Sequence, residues 1–515
     1  MNPRFWKEIR PLLLPGATGT VAAAMLGRTG LAEGVSVVAV FALFGSIGVL
    51  ASLPFGVEFQ HCTFTALLSQ PIDRARLWRE KLSKLGLVLG VIAITGLTSE
   101  FISNYRLNEE LILPASIALA TCASACYWTL TARSIVGGMA LNAAAQFLGA
   151  LGASVFVEQV LGDYSSMAVG AVFIGFDLLY GALFLWLGWR KFGRLEMRDE
   201  TPGESTALSG WLTGERWWAE WLRCRPSGAS RNLFLKEFRL QQPVVMVAVI
   251  YFLLWLVTLA LQLWRPTQGF EEFSVALTVL YAVVCPLLAG SVSMAEERAL
   301  GLAAWQLSLP TSAMRQWLVK LMIGAVITLC LGVVLPGLLL CGTAAVTPTS
   351  ANFFNPAREP ELAKGLWSWL GGSAALYLLS FWSGSMGGNV VRAVATAVLA
   401  AGCLVGAVLL AVFSAEQIGG VELPLMEWLT RSFFNGSPQV FAIFSCSLAT
   451  PGLVFLIAIV LLIVLRQSLM QFRRAQSQAK DTLVSAGVLL MTTCLACFLC
   501  ADFMVSLGKL LTLTY

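Results

Sequence analysis

The stretch PVVMVAVIYFLLWLVTLALQLW, residues 243–264, carries no charged side chain and is bounded by Arg265 on its far side. A helix of that length, rising about 1.5 Å per residue, covers roughly 30 Å, the thickness of bilayer hydrocarbon. A strand of an outer-membrane barrel would instead be about 10 residues long and alternate apolar with polar. Working outward, runs of the same kind recur at 11–30, 35–57, 83–103, 111–132, 135–158, 167–189, 274–295, 319–346, 366–387, 391–413 and 440–465, with a further run at 482–507. Across 515 residues, 57% are hydrophobic and 12% charged. A soluble domain carries about twice that charged fraction. The pattern predicts an all-α polytopic membrane protein of about 12 or 13 transmembrane helices.

Charge predicts the orientation. Lys and Arg cluster at 4–10, 74–84, 190–198, 216–239, 298–320 and 466–480, while the alternate loops are short or acidic, as at Asn108-Glu109-Glu110 and Glu271-Glu272. The positive-inside rule then puts the N-terminus inside, with the chain in the cytoplasmic (inner) membrane. The net charge of +5 is explained by this topology, so no nucleic-acid partner is expected. The opening MNPRFWKEIR is too polar for a cleaved signal peptide, so the first run is expected to stay as a span. Of 12 cysteines most lie in apolar runs, including Cys494, Cys497 and Cys500, whose spacing spreads them around a helix. With His61 the sole histidine, no metal site is expected.

The longest polar segment divides the chain. The organisation predicted is a first six-span half at 1–195, a cytoplasmic or interfacial linker at 196–230, a second six-span half at 231–480 and an additional helix at 481–515. Trp211, Trp217, Trp218 and Trp221 among Arg and Glu suit the linker to the headgroup layer. The halves are related by a repeat at an offset of 239 residues. EFQHCTFTALLSQPIDRARLWREKL (Glu58–Leu82) aligns without a gap on ERALGLAAWQLSLPTSAMRQWLVKL (Glu297–Leu321). Eight of the twenty-five positions are identical: Glu58/Glu297, Leu68/Leu307, Ser69/Ser308, Pro71/Pro310, Arg76/Arg315, Trp78/Trp317, Lys81/Lys320 and Leu82/Leu321. Chance would give about one or two, so the halves share ancestry. A shorter match, Lys7-Glu8-Ile9-Arg10 with Lys236-Glu237-Phe238-Arg239, precedes the first span of each half. Both motifs occupy the same place in each half, and both halves start on the same side. The repeat is therefore parallel, unlike the inverted repeats of many secondary transporters.

The repeated segment is too polar to cross the bilayer. Pro71 lacks an N–H and disfavours helix just before it, so it should separate two short helices. Arg76 and Lys81 are expected at the headgroups with Trp78 as an anchor, and Phe64, Leu67 and Leu68 give one apolar stripe. That stripe either packs under the bundle or docks into a groove on a soluble partner.

A Glu thirteen residues before the Pro of an L-S-x-P and a Lys ten residues after that Pro (71−58 and 81−71, as 310−297 and 320−310) resemble the first cytoplasmic loop of exporter-type ABC transporter permeases with six-span halves. The K-E-h-R motif resembles that family's N-terminal interfacial helix. Three features depart from the pattern. The family's Gly-Thr is Cys62-Thr63 in one copy and Gly301-Leu302 in the other, two six-span units are fused in one chain, and the extra C-terminal run has no counterpart in the basic unit. The resemblance implies a permease subunit, an exporter, with Glu58, Leu68, Pro71, Arg76, Lys81, Glu297, Leu307, Pro310, Arg315 and Lys320 forming two coupling helices that bind partners. Those partners would be two copies of an ATP-binding cassette subunit, with no homodimer required. The chain contains no G-x-x-x-x-G-K-[ST] phosphate loop. It is therefore expected to bind no cofactor and not to be an enzyme itself, with ATP and Mg held by the partner.

Within the spans, Asp177 sits near the middle of the sixth, where a carboxylate costs roughly 2.5–3.5 kcal/mol to insert. It marks either a substrate pathway or a structural contact with Tyr180 or a neighbouring span. Asn142 and Gln146, four apart on one face of the fifth span, are its candidate companions on the pathway. The alternatives to an ATP-driven permease are an ion-coupled secondary transporter and a non-transporting membrane scaffold.

Overall fold

The computed structural model describes residues 3–26, 33–60, 63–64, 73–104, 112–157, 166–194, 229–264, 268–299, 311–346, 359–387, 389–398, 400–401 and 462–473. The chain divides into two compact units, Met1–Thr396 and Ala397–Tyr515. In the second, the described residues are 397–398, 400–401 and the helix at 462–473. In the first, every regular element described is helical: α1 (Pro3–Leu26), α2 (Glu33–Gln60), α3 (Arg74–Asn104), α4 (Ile112–Ala132), α5 (Ile135–Phe156), α6 (Ser166–Arg194), α7 (Ala229–Leu240), α8 (Gln242–Trp264), α9 (Gln268–Ala299), α10 (Ala313–Ile327), α11 (Leu335–Val346) and α12 (Glu359–Met386). A further helix opens at 390.

Nine stretches among the described residues are long and apolar enough to cross a membrane. They are the six expected in 1–195 and those at Gln242–Trp264, Phe273–Arg298 and Ala313–Thr343. Among the described residues the regular structure is all helical, and these helices are consistent with an integral membrane protein. The linker 196–228 and most of the runs at 391–413, 440–465 and 482–507 lie outside the described residues. Several helices run past their predicted spans. α3 starts at Arg74 rather than 83, because Asp73 caps it: its Oδ1 accepts from the Ala75 N–H at 3.4 Å. Lys7-Glu8-Ile9-Arg10 belongs to the continuous helix α1, whereas its counterpart lies on the separate helix α7.

Lipid-facing and protein-facing residues part cleanly. Leu179, Leu253 and Leu338 are exposed, whereas Leu50, Leu130 and Val244 are buried. α9 and α12 cross closely. A Cβ placed on Gly290 would lie 1.9 Å from Ser380 Oγ and 2.5 Å from the Tyr377 carbonyl oxygen. Small residues at this crossing let the backbones meet, the usual basis of helix association in lipid.

Between α10 and α11 the helix loosens into a π-helical turn, Thr328–Val334. Pro336 causes it, having no N–H and a ring that collides with the preceding turn. The Leu335 N–H bonds back to the Cys330 carbonyl, five residues earlier. The donor for the Leu331 carbonyl would be residue 336, which is proline. Tyr281 of α9 supplies it instead, its hydroxyl donating to the Leu331 oxygen at 3.0 Å.

Contacts around the start of α5 are exchanged between the two repeats. Ile135 shares an apolar cluster with Leu50 and Leu53 of α2 and with Val391. Val136 shares another with Val292 and Ala295 of α9 and with Val390 and Ala393. Leu53 and Val292 are equivalent under the repeat, since 292−53 = 239. Equivalent turns of α2 and α9 thus pack beside the start of α5. These contacts also bring the last turns of α2 and α9 to the same end of the bundle.

Candidate functional site

The repeated motifs meet as a cluster of charges at the end of α2 and again at the end of α9. In the first copy the Lys81 ammonium of α3 donates to Glu58 Oε1 at 3.0 Å and to the Pro54 carbonyl at 2.7 Å. The other Glu58 oxygen accepts from the Thr63 hydroxyl at 2.5 Å. Lys84, one turn further along α3, pairs with Glu8 of α1. In the second copy the Lys320 ammonium of α10 donates to both oxygens of Glu237 on α7 at 2.8 Å, and lies 2.9 Å from Glu297 Oε2. It also reaches the Ser293 carbonyl at 3.3 Å. Lys236 pairs with Glu297.

The lysine contacts to the span end repeat. Each lysine meets the glutamate at the end of the preceding span and the carbonyl four residues before it: 297−58, 293−54 and 320−81 all equal 239. The helix caps repeat too. Asp73 caps α3, and Ser312, also 239 residues on, caps α10 by accepting from the Arg315 N–H at 3.4 Å. A repeat preserved in cap, ion pair and carbonyl contact is a repeat of structure, not only of letters.

The copies differ in closure. Lys84 has Ile323 as its equivalent, so the second copy lacks that lysine. Glu237 turns to Lys320 instead, and with Glu297 and Lys236 they form one four-group cluster. The Lys320 side chain is 0% exposed and that of Glu297 3%. In the first copy the Glu58 side chain keeps 16% exposure. Removal from water pushes the Glu237 carboxyl above its ordinary range; the Lys320 charge opposes this and the Glu297 charge adds to it.

This corrects the placement expected for several site residues. Lys81 does not face outward but is buried in the protein, and Trp78 is buried too, packed against Phe55, Phe192 and Trp189. Trp317 is likewise buried, against Phe381. Glu58, Lys81, Glu297 and Lys320 bind within the chain, and the enclosed Glu297 and Lys320 offer no open surface. Arg76 and Arg315 do point outward; Arg76 pairs with Glu80 at 3.3 Å. Leu68, Pro71, Leu307 and Pro310 lie outside the described residues. The residues that sequence reasoning missed are Glu8, Lys84, Lys236 and Glu237. The signal was present in the doubled K-E-h-R motif, a carboxylate repeated beside a membrane in both halves.

The intramembrane candidates fall into one polar seam joining α4, α5 and α6. Asp177 Oδ2 accepts from the Ser116 hydroxyl of α4 at 2.7 Å. Asn142 is buried. Its carbonyl oxygen accepts from Ser124 at 2.7 Å and Tyr180 at 3.2 Å, and its amide donates to the Thr121 carbonyl at 3.1 Å. Gln146 Oε1 accepts from the Thr121 hydroxyl at 3.0 Å. Asp177 therefore meets a neighbouring span, and its hydrogen bond goes to Ser116 rather than to Asn142 or Gln146. The seam pairs polar groups that lipid cannot, a structural duty in itself, although Gln146 Nε2 finds no hydrogen-bond partner among the described residues. Among the described residues no group of His, Cys, Asp and Glu is placed to hold a metal ion.

No protein family, curated protein or solved structure matches this chain.

Proposed function

We propose that the chain is the membrane-spanning permease subunit of an ATP-driven, ABC-type transporter, working as an exporter with separate ATP-binding subunits. The observation that carries this reading is the doubled lysine–glutamate cluster. Each copy locks the end of one span to the start of the next. The last turns of α2 and α9 lie at the same end of the bundle, beside the start of α5. A machine driven by two equivalent soluble motors needs two equivalent attachment points on one side. In this reading Glu58, Lys81, Glu297 and Lys320 are positioning residues. The contact surface is left to the outward-pointing Arg76 and Arg315 and to the segments between the paired spans.

The test is reconstitution of the full chain in vesicles with an ATP-binding cassette protein that co-purifies with it, and the failure of any such protein to co-purify would also overturn the reading. The expected result is ATP hydrolysis stimulated by the chain, and weakened when Arg76→Glu and Arg315→Glu are combined. Hydrolysis indifferent to the chain, or complex formation indifferent to both reversals, would overturn the reading.

A further inference from the structure

We propose that Asp177, beside the aromatic rings of α6, binds an amphiphilic organic cation where α6 meets the first turns of α4. Across 112–132, 135–156 and 166–189, the membrane-spanning parts of α4, α5 and α6, Asp177 is the sole charged residue. Among the described residues its carboxylate takes one hydrogen bond, from Ser116, and no ion pair. Even that bond is shared. The Ser116 hydroxyl has one proton, and the Leu113 carbonyl lies 2.8 Å from its oxygen as a second acceptor. An ionised carboxylate has room for about four hydrogen bonds, so most of its acceptor capacity is unused. A carboxylate kept at membrane depth without a counter-charge marks a place for a cation.

The surroundings give the kind of cation. Asp177 is half-buried, and the first turn of α4 opposite it leaves Ile112 and Leu113 exposed. A ligand entering there meets one negative charge set in apolar surface. Three rings follow at four-residue spacing along α6: Phe176, Tyr180 and Phe184, with centroids 6.0 and 4.6 Å apart in turn. Phe176 precedes Asp177 directly, and Tyr180 lies one turn after it on the same side of the helix. Ring faces carry negative charge density and attract a cation that has shed its water. A hydrated metal ion would find too few oxygens here. A cation carrying its own apolar groups, such as a quaternary ammonium or phosphonium, matches both the charge and the surface.

As a substrate contact the site rests on the permease reading, but binding does not need the motor, so binding to the chain alone is measured. The experiment is equilibrium dialysis of the purified full chain in detergent, with tetraphenylphosphonium as the probe and tetraphenylborate as an anion of the same shape. Wild type should bind the cation saturably and the anion at least about tenfold more weakly. Asp177→Asn, which can still accept from Ser116, should lose about tenfold in cation affinity, whereas Asp177→Glu should stay within about threefold of wild type. Thermal midpoints confirm that both variants are folded, and the cation–anion comparison needs neither. Equal uptake of the two probes by wild type would overturn the proposal, since apolar partition or a carboxyl kept neutral by a proton would explain it. So would an unchanged affinity in Asp177→Asn, or equal losses in the two variants. Failure here leaves the hydrolysis test of the permease reading untouched, and a failed hydrolysis test leaves this binding in place.

Discussion

Lys320→Met is the sharpest test of the buried cluster. Met keeps the length and apolar stem of lysine and removes only the charge. In the folded protein that charge answers Glu237 at 2.8 Å and Glu297 at 2.9 Å, with the two carboxylate side chains 2% and 3% exposed. Breaking a buried pair by removing one partner costs about 3–5 kcal/mol, because the other charge stays behind in a poor solvent for it. Here two carboxylates stay behind rather than one, with Lys236 answering Glu297, so the upper end, about 5 kcal/mol, is expected. The matching change in the first copy, Lys81→Met, leaves Glu58 with Thr63 and partial access to water, and should cost about 1–3 kcal/mol. The two variants therefore differ by about 2 kcal/mol or more, although they alter equivalent positions. Unfolding of the purified protein in mixed micelles, followed by tryptophan fluorescence, measures both. Adding Glu237→Gln to Lys320→Met should recover part of the loss. Equal losses in the two single variants, or a Lys320→Met variant within about 1 kcal/mol of wild type, would refute the reasoning.

Other outcomes follow from named contacts. Tyr281→Phe leaves the Leu331 carbonyl without a donor and should cost about 1–3 kcal/mol. In a Pro336→Ala background, where the backbone N–H returns, the same change should cost less, and a double-mutant cycle reads the coupling. Gly290→Ala drives a methyl into Ser380 and the Tyr377 carbonyl and should cost about 1–3 kcal/mol, lowering the thermal midpoint. Gly86→Ala, with nothing within 4 Å of the added carbon, should instead gain up to about 1 kcal/mol from helix propensity. Ser116→Ala removes the Asp177 partner and should destabilise by about 1–3 kcal/mol, whereas Asp177→Asn, which can still accept from Ser116, should fold as wild type in size-exclusion chromatography.

The spans were legible because the hydrocarbon slab imposes one length and one polarity on whatever crosses it. Pro243–Trp264 could be read as a helix without knowing any neighbour. The polar first turns of α3 and α10 could be read only as short helices after a proline; that they run unbroken into the span shows only once a cap and a buried lysine are seen to hold them. The repeat was likewise legible as letters, and its shared offset survives in the contacts. What the letters meant was not. Glu58, Lys81, Glu297 and Lys320 read as groups facing a partner, because charge beside a membrane ordinarily faces water.

The amino-acid sequence alone determined that this chain enters a bilayer, where its helices lie and that one segment occurs twice, since each follows from local composition and spacing. Only the tertiary structure decided where the repeated charges point. Pairing depends on which helix ends meet: Glu8 reaches Lys84 across 76 positions and Glu237 reaches Lys320 across 83. A buried charge is tolerable only beside its counter-charge, so it is packing, and not the charge itself, that separates an internal staple from a surface contact.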